Sequence, residues 1–258
     1  MKAERHSRIV EILDDKNTAS VAALSAELHV SEMTIRRDLL ELERTGILRR
    51  IHGGATRTTG RAYEPPFRVR QVNDSEVKKA IAKVAADMIE DGDALGIDVG
   101  STVLEIVPQI TATNLTIVTA SLRVATAVAE YHALEQTVRL ISTGGVLRAE
   151  ELSFIGHAAV QSFERFRIDK AFLGVGGVSV KGGTTEFNLE DSDVKRAMVA
   201  SANKVIVLAD SSKLEKVGFA EVCSISEIDV LITDDRADPE LLRGFEAAGV
   251  EVVVAPVD

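Results

Sequence analysis

The chain opens with apolar positions spaced three and four apart. Ile9, Ile12 and Leu13 predict a first helix, and Val21, Leu24 and Leu28 a second, with Ser20 placed to cap it. His29-Val30 makes a tight corner. Ser31 can then cap a third helix, in which Ile35, Leu39 and Leu42 fall at i, i+4 and i+7 and which Gly46 ends. After that the period changes. Ile47-Leu48-Arg49-Arg50-Ile51 alternates before the turn His52-Gly53-Gly54, the pattern of a small β wing. Residues 56–76 carry Gly60 and the pair Pro65-Pro66 with little periodicity, and predict a linker with at most a short extended segment.

A helix over about 74–90 follows, with Val77, Ile81, Val84 and Ile89 roughly on one side. The remainder alternates between apolar runs and amphipathic stretches. Strands are predicted at Ala94–Asp98, Thr116–Thr119, Val138–Ser142, Lys170–Val175, Lys204–Ala209, Val230–Thr233 and Val250–Ala255. Helical patterns cover 102–107, 121–131, 156–165, 189–202 and 238–247. Continuous apolar strands separated by helices imply an α/β fold, with a mostly parallel sheet covered on both faces. There is no internal repeat.

Composition narrows the function classes. With 258 residues, 45% apolar and 27% charged, the chain has ample material for a packed core. Its one cysteine, Cys223, rules out an intramolecular disulfide or a cysteine-based metal cluster, and its apolar neighbours predict a buried, inert thiol. The five histidines (6, 29, 52, 132 and 157) lack metal-ligand spacing, with His157 expected near a helix start, so no metal and no cofactor is expected. No apolar run reaches the ~18 residues of a membrane helix, and MKAERHSRIVEILDD lacks an apolar signal core, so a cytoplasmic protein with no membrane partner is expected.

The net charge of −10 argues against a nucleic-acid partner only if it is evenly spread. It is not. Residues 1–70 hold 13 Lys/Arg against 10 Asp/Glu, a net of +3, whereas 71–258 hold 17 against 30, a net of −13. Within 33–61, seven arginines (36, 37, 44, 49, 50, 57 and 61) meet only Asp38, Glu41 and Glu43.

Helix, short turn, helix matches helix-turn-helix geometry, in which the second helix enters the major groove with its N-terminal residues at base edges. With Ile35 and Leu39 inward, Thr34 and Arg37 are expected to project outward, flanked by Arg36. Arginine pairs bidentately with guanine, and threonine can meet a thymine methyl or a phosphate. Arg49, Arg50 and His52 in the wing suit phosphates. The stretch VSEMTIRRDLLELERTGILRRIHGGA, within residues 5–55, closely resembles the DeoR-type winged helix-turn-helix of bacterial transcriptional regulators. That resemblance implies a recognition helix at about 31–44. The candidate DNA-binding set is Ser31, Thr34, Arg36, Arg37, Arg49, Arg50 and His52.

Five short loops, three of them glycine-containing, follow predicted strands: 98–102, 119–121, 143–145, 174–177 and 209–213. Ligands in open α/β sheets bind beyond the carboxyl ends of strands, where such loops converge. Gly100, Ser101 and Thr102 open a helix whose free N–H groups and hydroxyls can cradle a phosphate. Lys213 and Arg148 can balance its charge, and Asp98 or Asp210 can bond sugar hydroxyls. In the run DVKRAM, Arg196 suits a solvated face, while Lys195 stays open between that face and the pocket.

Residues 77–255 also resemble the sensor domain of the DeoR family, through DVGST, ISTGGVLR, FLGVGGV, VKRAM, VLADSSK and ISEIDVLITDD. The resemblance implies a Rossmann-like sensor similar to ribose-5-phosphate isomerase. It also implies a phosphosugar effector held by Asp98, Gly100, Ser101 and Thr102, with Thr119, Ser121, Gly144, Gly176, Gly177, Asp210 and Lys213 lining the pocket. Ala120 departs from the family's usual asparagine and offers no polar side chain for an effector contact.

An isomerase needs a carboxylate base. Gly174-Val175-Gly176-Gly177 offers none, and Glu186, Glu190, Asp191 and Asp193 are the nearby substitutes, better explained as decorating a helix start. The expectation is therefore a non-enzymatic regulator, with an isomerase carrying a regulatory head as the alternative. Residues 1–57 bind operator DNA, 58–76 link, and 77–258 sense a sugar phosphate and form a homodimer or homotetramer. Repression of a carbohydrate-use operon is expected, although the same parts can serve an activator.

Overall fold

A computed structural model describes residues 2–44, 47–57, 60–132 and 137–257. The chain divides into two compact units, 1–73 and 74–258.

In the first unit, α1 (Lys2–Lys16) is followed by β1 (Thr18–Ser20), α2 (Val21–Leu28), α3 (Glu32–Arg44), β2 (Leu48–Ile51), β3 (Gly54–Arg57) and α4 (Phe67–Val72). Ser20 caps α2, its side chain accepting from Ala23 N, and His29 ends that helix in the left-handed region at φ 53°. Ile9, Ile12, Leu13, Leu24, Ile35, Leu39 and Leu42 interlock in one core, as their spacing predicts. Burying each such side chain is worth about 1.5–3 kcal/mol, enough to hold helices too short to persist alone. The predicted wing is β2 paired antiparallel with β3, and β1 adds a third strand on the far side of β3. Gly46, expected to end α3, lies outside the described residues.

The proline-containing segment differs from its expectation. After Pro65-Pro66 the chain forms α4, with Phe67 buried. Arg70 closes over it, bonding Pro65 O at 2.9 Å and Glu64 at 3.0 Å with its guanidinium over the Phe67 ring. A single helical turn and a half shows no amphipathic period, so pattern alone does not reveal it.

The second unit begins with α5 (Ser75–Ala86). All seven predicted strands are present: β4 (Ala94–Ile97), β5 (Thr116–Thr119), β6 (Arg139–Ser142), β9 (Ile168–Gly174), β12 (Ala202–Leu208), β14 (Val230–Asp234) and β15 (Glu251–Ala255). They form one sheet in the order β15-β14-β12-β9-β4-β5-β6, every pairing parallel. Along β12, Ile206 and Leu208 enter one core with α5, while Val205 and Val207 enter the other. The first core also takes α6 (Ser101–Leu104) and α7 (Leu122–His132), and the second takes α8 (His157–Glu164), α9 (Leu189–Ser201) and α10 (Pro239–Ala247). The result is a three-layer α/β domain. Strand order reverses between β4 and β9, and this is the topological switch point.

Two small antiparallel additions have no counterpart among the predicted elements. One is the hairpin of β7 (Val146–Arg148) and β8 (Ser153–Ile155). The other is a sheet in the order β10 (Gly177–Ser179), β11 (Gly183–Glu186), β13 (Ala220–Cys223). Their strands are only three or four residues long, too short to show a clear alternation. In place of the expected helix at 102–107 stand α6 and, after a turn at 105–106, a 3-10 segment at Val107–Gln109.

Candidate DNA interface and effector site

At the start of α3, Ser31 Oγ accepts from Thr34 N at 3.2 Å and lies 2.9 Å from Thr34 Oγ1, so the two hydroxyls cap the helix together. Arg36 forms an exposed pair with Glu32 at 3.4 Å, an interaction worth about 1 kcal/mol or less. Arg37 and Arg49 are exposed, and neither guanidinium has an ion pair or hydrogen bond among the described residues. Arg50 is occupied. Glu43 on α3 accepts from Arg50 N at 3.0 Å and from Arg50 Nε at 2.6 Å, and these bonds hold the Glu43 carboxyl below its ordinary range. His52 is exposed in the wing turn.

Sequence reasoning missed what holds the recognition helix. Asp38, on its inner face, is 2% exposed. Arg5 on α1 grips it at 2.6 and 3.1 Å, and His6 Nε2 lies 3.0 Å from its second oxygen. Burial alone would raise this carboxyl, but the Arg5 and His6 hydrogen bonds outweigh it and keep Asp38 below its ordinary value. The available signal was an acid at an i+3 position between Ile35 and Leu39 on the inward stripe.

In the second unit, the predicted effector residues follow or close the parallel strands at their carboxyl ends, some on loops and others in α6, β7 and β10, and their side chains serve unequal roles. Thr119 Oγ1 accepts from Ser121 N at 3.0 Å and Ser121 Oγ accepts from Val124 N at 3.2 Å, so both buried hydroxyls cap α7. Asp210 caps the turn at 211–213 through Ser212 N at 3.0 Å and the Ser212 hydroxyl. Arg148 is paired with Asp191 on α9, whose other oxygen takes Ser153 Oγ at 2.8 Å, which ties the β7–β8 hairpin to that helix. Lys213 is half-buried, and its ammonium has no partner among the described residues.

The glycines divide in the same way. A Cβ at Gly176 would stand 2.9 Å from the Phe187 ring and one at Gly177 2.3 Å from Lys216 O, so close packing alone demands glycine at both. Gly144 has φ +66° and open space around it. Gly100, Ser101 and Thr102 do open a helix, although α6 is only four residues long.

The centre of the switch point is a cluster that the sequence left undecided. Lys195 Nζ lies 2.6 Å from Asp98 Oδ2, 2.7 Å from Glu186 Oε1 and 2.6 Å from Gly174 O. An ammonium has three N–H donors, and all three are used. Asp98 Oδ2 also accepts from Gly174 N at 3.1 Å, joining the ends of β4 and β9. One cation between two buried carboxylates leaves an excess negative charge. Burial pushes the Asp98 carboxyl up to about 6 against the pull of Lys195, while the two carboxylates hold Lys195 charged beyond its ordinary range despite its burial. Neither Lys195 nor Glu186 was singled out as an effector residue.

A separate cavity of about 590 Å³ lies between α8 and α9, lined in part by His157, Glu164, Glu190, Asp193 and Arg196. None of the predicted effector residues lines it. Arg196 is exposed, as its solvated face predicts, and Cys223 is buried against Thr184 Oγ1 at 3.1 Å with its thiol pushed up by burial.

Residues 5–61 match the DeoR-like helix-turn-helix domain and residues 73–235 the DeoR C-terminal sensor domain. The chain belongs to the DeoR family of transcriptional regulators. This DeoR-family chain is 37% identical over 254 residues to the HTH-type transcriptional regulator GlpR of Haloferax volcanii, with 98% of each chain covered. It is 32% identical over 239 residues to the glycerol-3-phosphate regulon repressor of Escherichia coli K12, covering 90% of this chain and 91% of that one. Among solved structures, a D-ribose-5-phosphate isomerase in complex with phospho-erythronic acid aligns with TM-score 0.42 and 20% identity over 55% of each chain. No helix among the described residues is long and apolar enough to cross a membrane.

Proposed function

We propose that this regulator represses a carbohydrate-use operon in the cytoplasm and that a phosphorylated sugar, bound beyond the carboxyl ends of the parallel strands, releases it from its operator. Residues 1–57 read DNA, 58–76 link, and 77–258 sense the effector and assemble the chain into a homodimer or homotetramer. The carrying observation is the pairing, in one chain, of a helix-turn-helix whose exposed Arg37 has no ion pair or hydrogen bond among the described residues and a parallel sheet with a switch point between β4 and β9.

The proposed effector set is Asp98, Gly100, Ser101, Thr102, Gly144, Asp210 and Lys213, with Lys213 meeting the phosphate. Thr119, Ser121, Gly176 and Gly177 shape the pocket walls, and Arg148 acts through its bond to Asp191. On the DNA, Thr34, Arg36 and Arg37 face the groove, Ser31 caps, and Arg49 and His52 meet phosphates, while Arg50, expected to join them, is held by Glu43 and braces the wing against α3. Release requires the effector to bind the DNA-competent and DNA-incompetent arrangements unequally. A coupling of ~1–3 kcal/mol changes operator affinity about 5–150-fold.

The absence of catalysis is part of the proposal. Of the acids that could substitute as a base, Glu186 is buried and committed to Lys195, and Asp191 is committed to Arg148. The test is a thermal-shift screen of the full chain against phosphorylated and free sugars, because a ligand of the native state raises its stability by mass action. Hits are then incubated with the protein and followed for interconversion. Stabilisation by a phosphosugar without turnover, together with weakened operator binding, is the expected result. Turnover would establish the isomerase alternative.

A further inference from the structure

On α3, Ile35, Leu39 and Leu42 are sealed in the core, at 0%, 1% and 3% exposure, and Asp38 joins them. At about 100° per residue, the direction opposite this stripe is taken by Met33 and Arg37, four positions apart and therefore neighbours on one face. Thr34 lies a quarter-turn aside, half-buried and bonded to Ser31. Met33 is 60% exposed, the one large apolar side chain on α3 so exposed among the described residues. It stands in the first turn, the part of a recognition helix that reaches base edges.

We propose that Met33 is a specificity-determining residue that recognises thymine by packing its thioether chain against the C5-methyl group in the major groove, beside the base contacted by Arg37. The inference rests on the reading of α3 as the recognition helix. Thymine alone presents a methyl in that groove, and an apolar side chain there gains by covering it. The unbranched, polarisable methionine chain adapts to such a surface. DNA is the occupant favoured by the surroundings, because Arg36 and Arg37 flank the side chain and complement phosphates while repelling a second copy of the same arginine-bearing face.

The test uses the full-length protein and duplexes enriched by it from a random-sequence pool. Each thymine is replaced singly by deoxyuridine, which removes only the methyl group, and affinity is measured at constant salt. At one position per half-site, the replacement should weaken the wild type about three- to fivefold, the factor for one buried methyl group. Met33→Ala should bind the thymine and uridine duplexes equally, Met33→Leu should restore part of the difference, and Arg37→Ala should keep it while binding more weakly overall. An equal thymine-to-uridine ratio in wild type and Met33→Ala overturns the proposal, as does a wild type indifferent to every replacement. If no duplex is enriched, the recognition-helix reading fails first and this inference with it. Self-association that Met33→Ala abolishes, without any thymine effect, would assign the residue to protein contact instead.

Discussion

Lys195 on α9 donates to Asp98 at the end of β4 over 2.6 Å, and the bond spans the point where strand order in the sheet reverses. With Glu186 2.7 Å away on the same ammonium, the cluster links α9, β4, β9 and β11 in one contact.

This arrangement makes stability depend on pH. The Asp98 carboxyl is raised from 3.8 to about 6, so between those values the native state holds more protons than the unfolded chain. That contribution is present at the acid end of the window and is lost as pH rises through about 6. Urea titrations of wild type and Asp98→Asn across pH 4.5–7 test it. The wild type should lose more stability on going to pH 7, and parallel curves would contradict the assignment.

Arg37→Ala should weaken specific operator binding by about 1–3 kcal/mol, as for one bidentate base contact, while non-specific binding falls only slightly. Footprinting compares the two proteins. An unchanged protection pattern removes Arg37 as a base reader.

Asp38→Ala should destabilise the first unit, because Arg5 and His6 lose the acceptor that fixes α1 against α3. The expected cost is about 1.5–3 kcal/mol, as for hydrogen bonds to a charged group. Asp38→Asn, which keeps an acceptor, should cost less. Thermal melts followed at helix-sensitive wavelengths rank the variants, and an equal loss in both would point to the charge rather than the bonds.

Ser101→Ala combined with Lys213→Ala should abolish effector release while leaving operator affinity intact, since neither residue lies in the first unit. Mobility shifts with and without the active sugar phosphate measure this. Normal release by the double variant would refute the proposed pocket.

Hydrophobic period revealed most of the architecture. The helical stripe of α3 and all seven parallel strands follow from which positions repel water, because burying a continuous apolar face is the largest favourable contribution to folding. The caps at Ser20 and Ser31 followed from local chemistry for a related reason: donor and acceptor lie within three residues of each other. Short elements escaped. The strands β7, β8 and β10, and the helix α4, are too brief to show a period.

The sequence by itself determined the two-part division, the arginine-biased first unit, the acidic second one and the placement of polar loops after strands. Those are properties of composition and local spacing. Only the tertiary structure decided which charges are spent and which are available. Arg50 is bound by Glu43, Arg148 by Asp191 and Asp38 by Arg5, whereas Arg37, Arg49 and Lys213 keep their charge unpaired among the described residues. It also turned Met33 outward and buried Lys195. A charge acts according to its neighbours and its distance from water, and packing brings together neighbours that lie far apart along the chain.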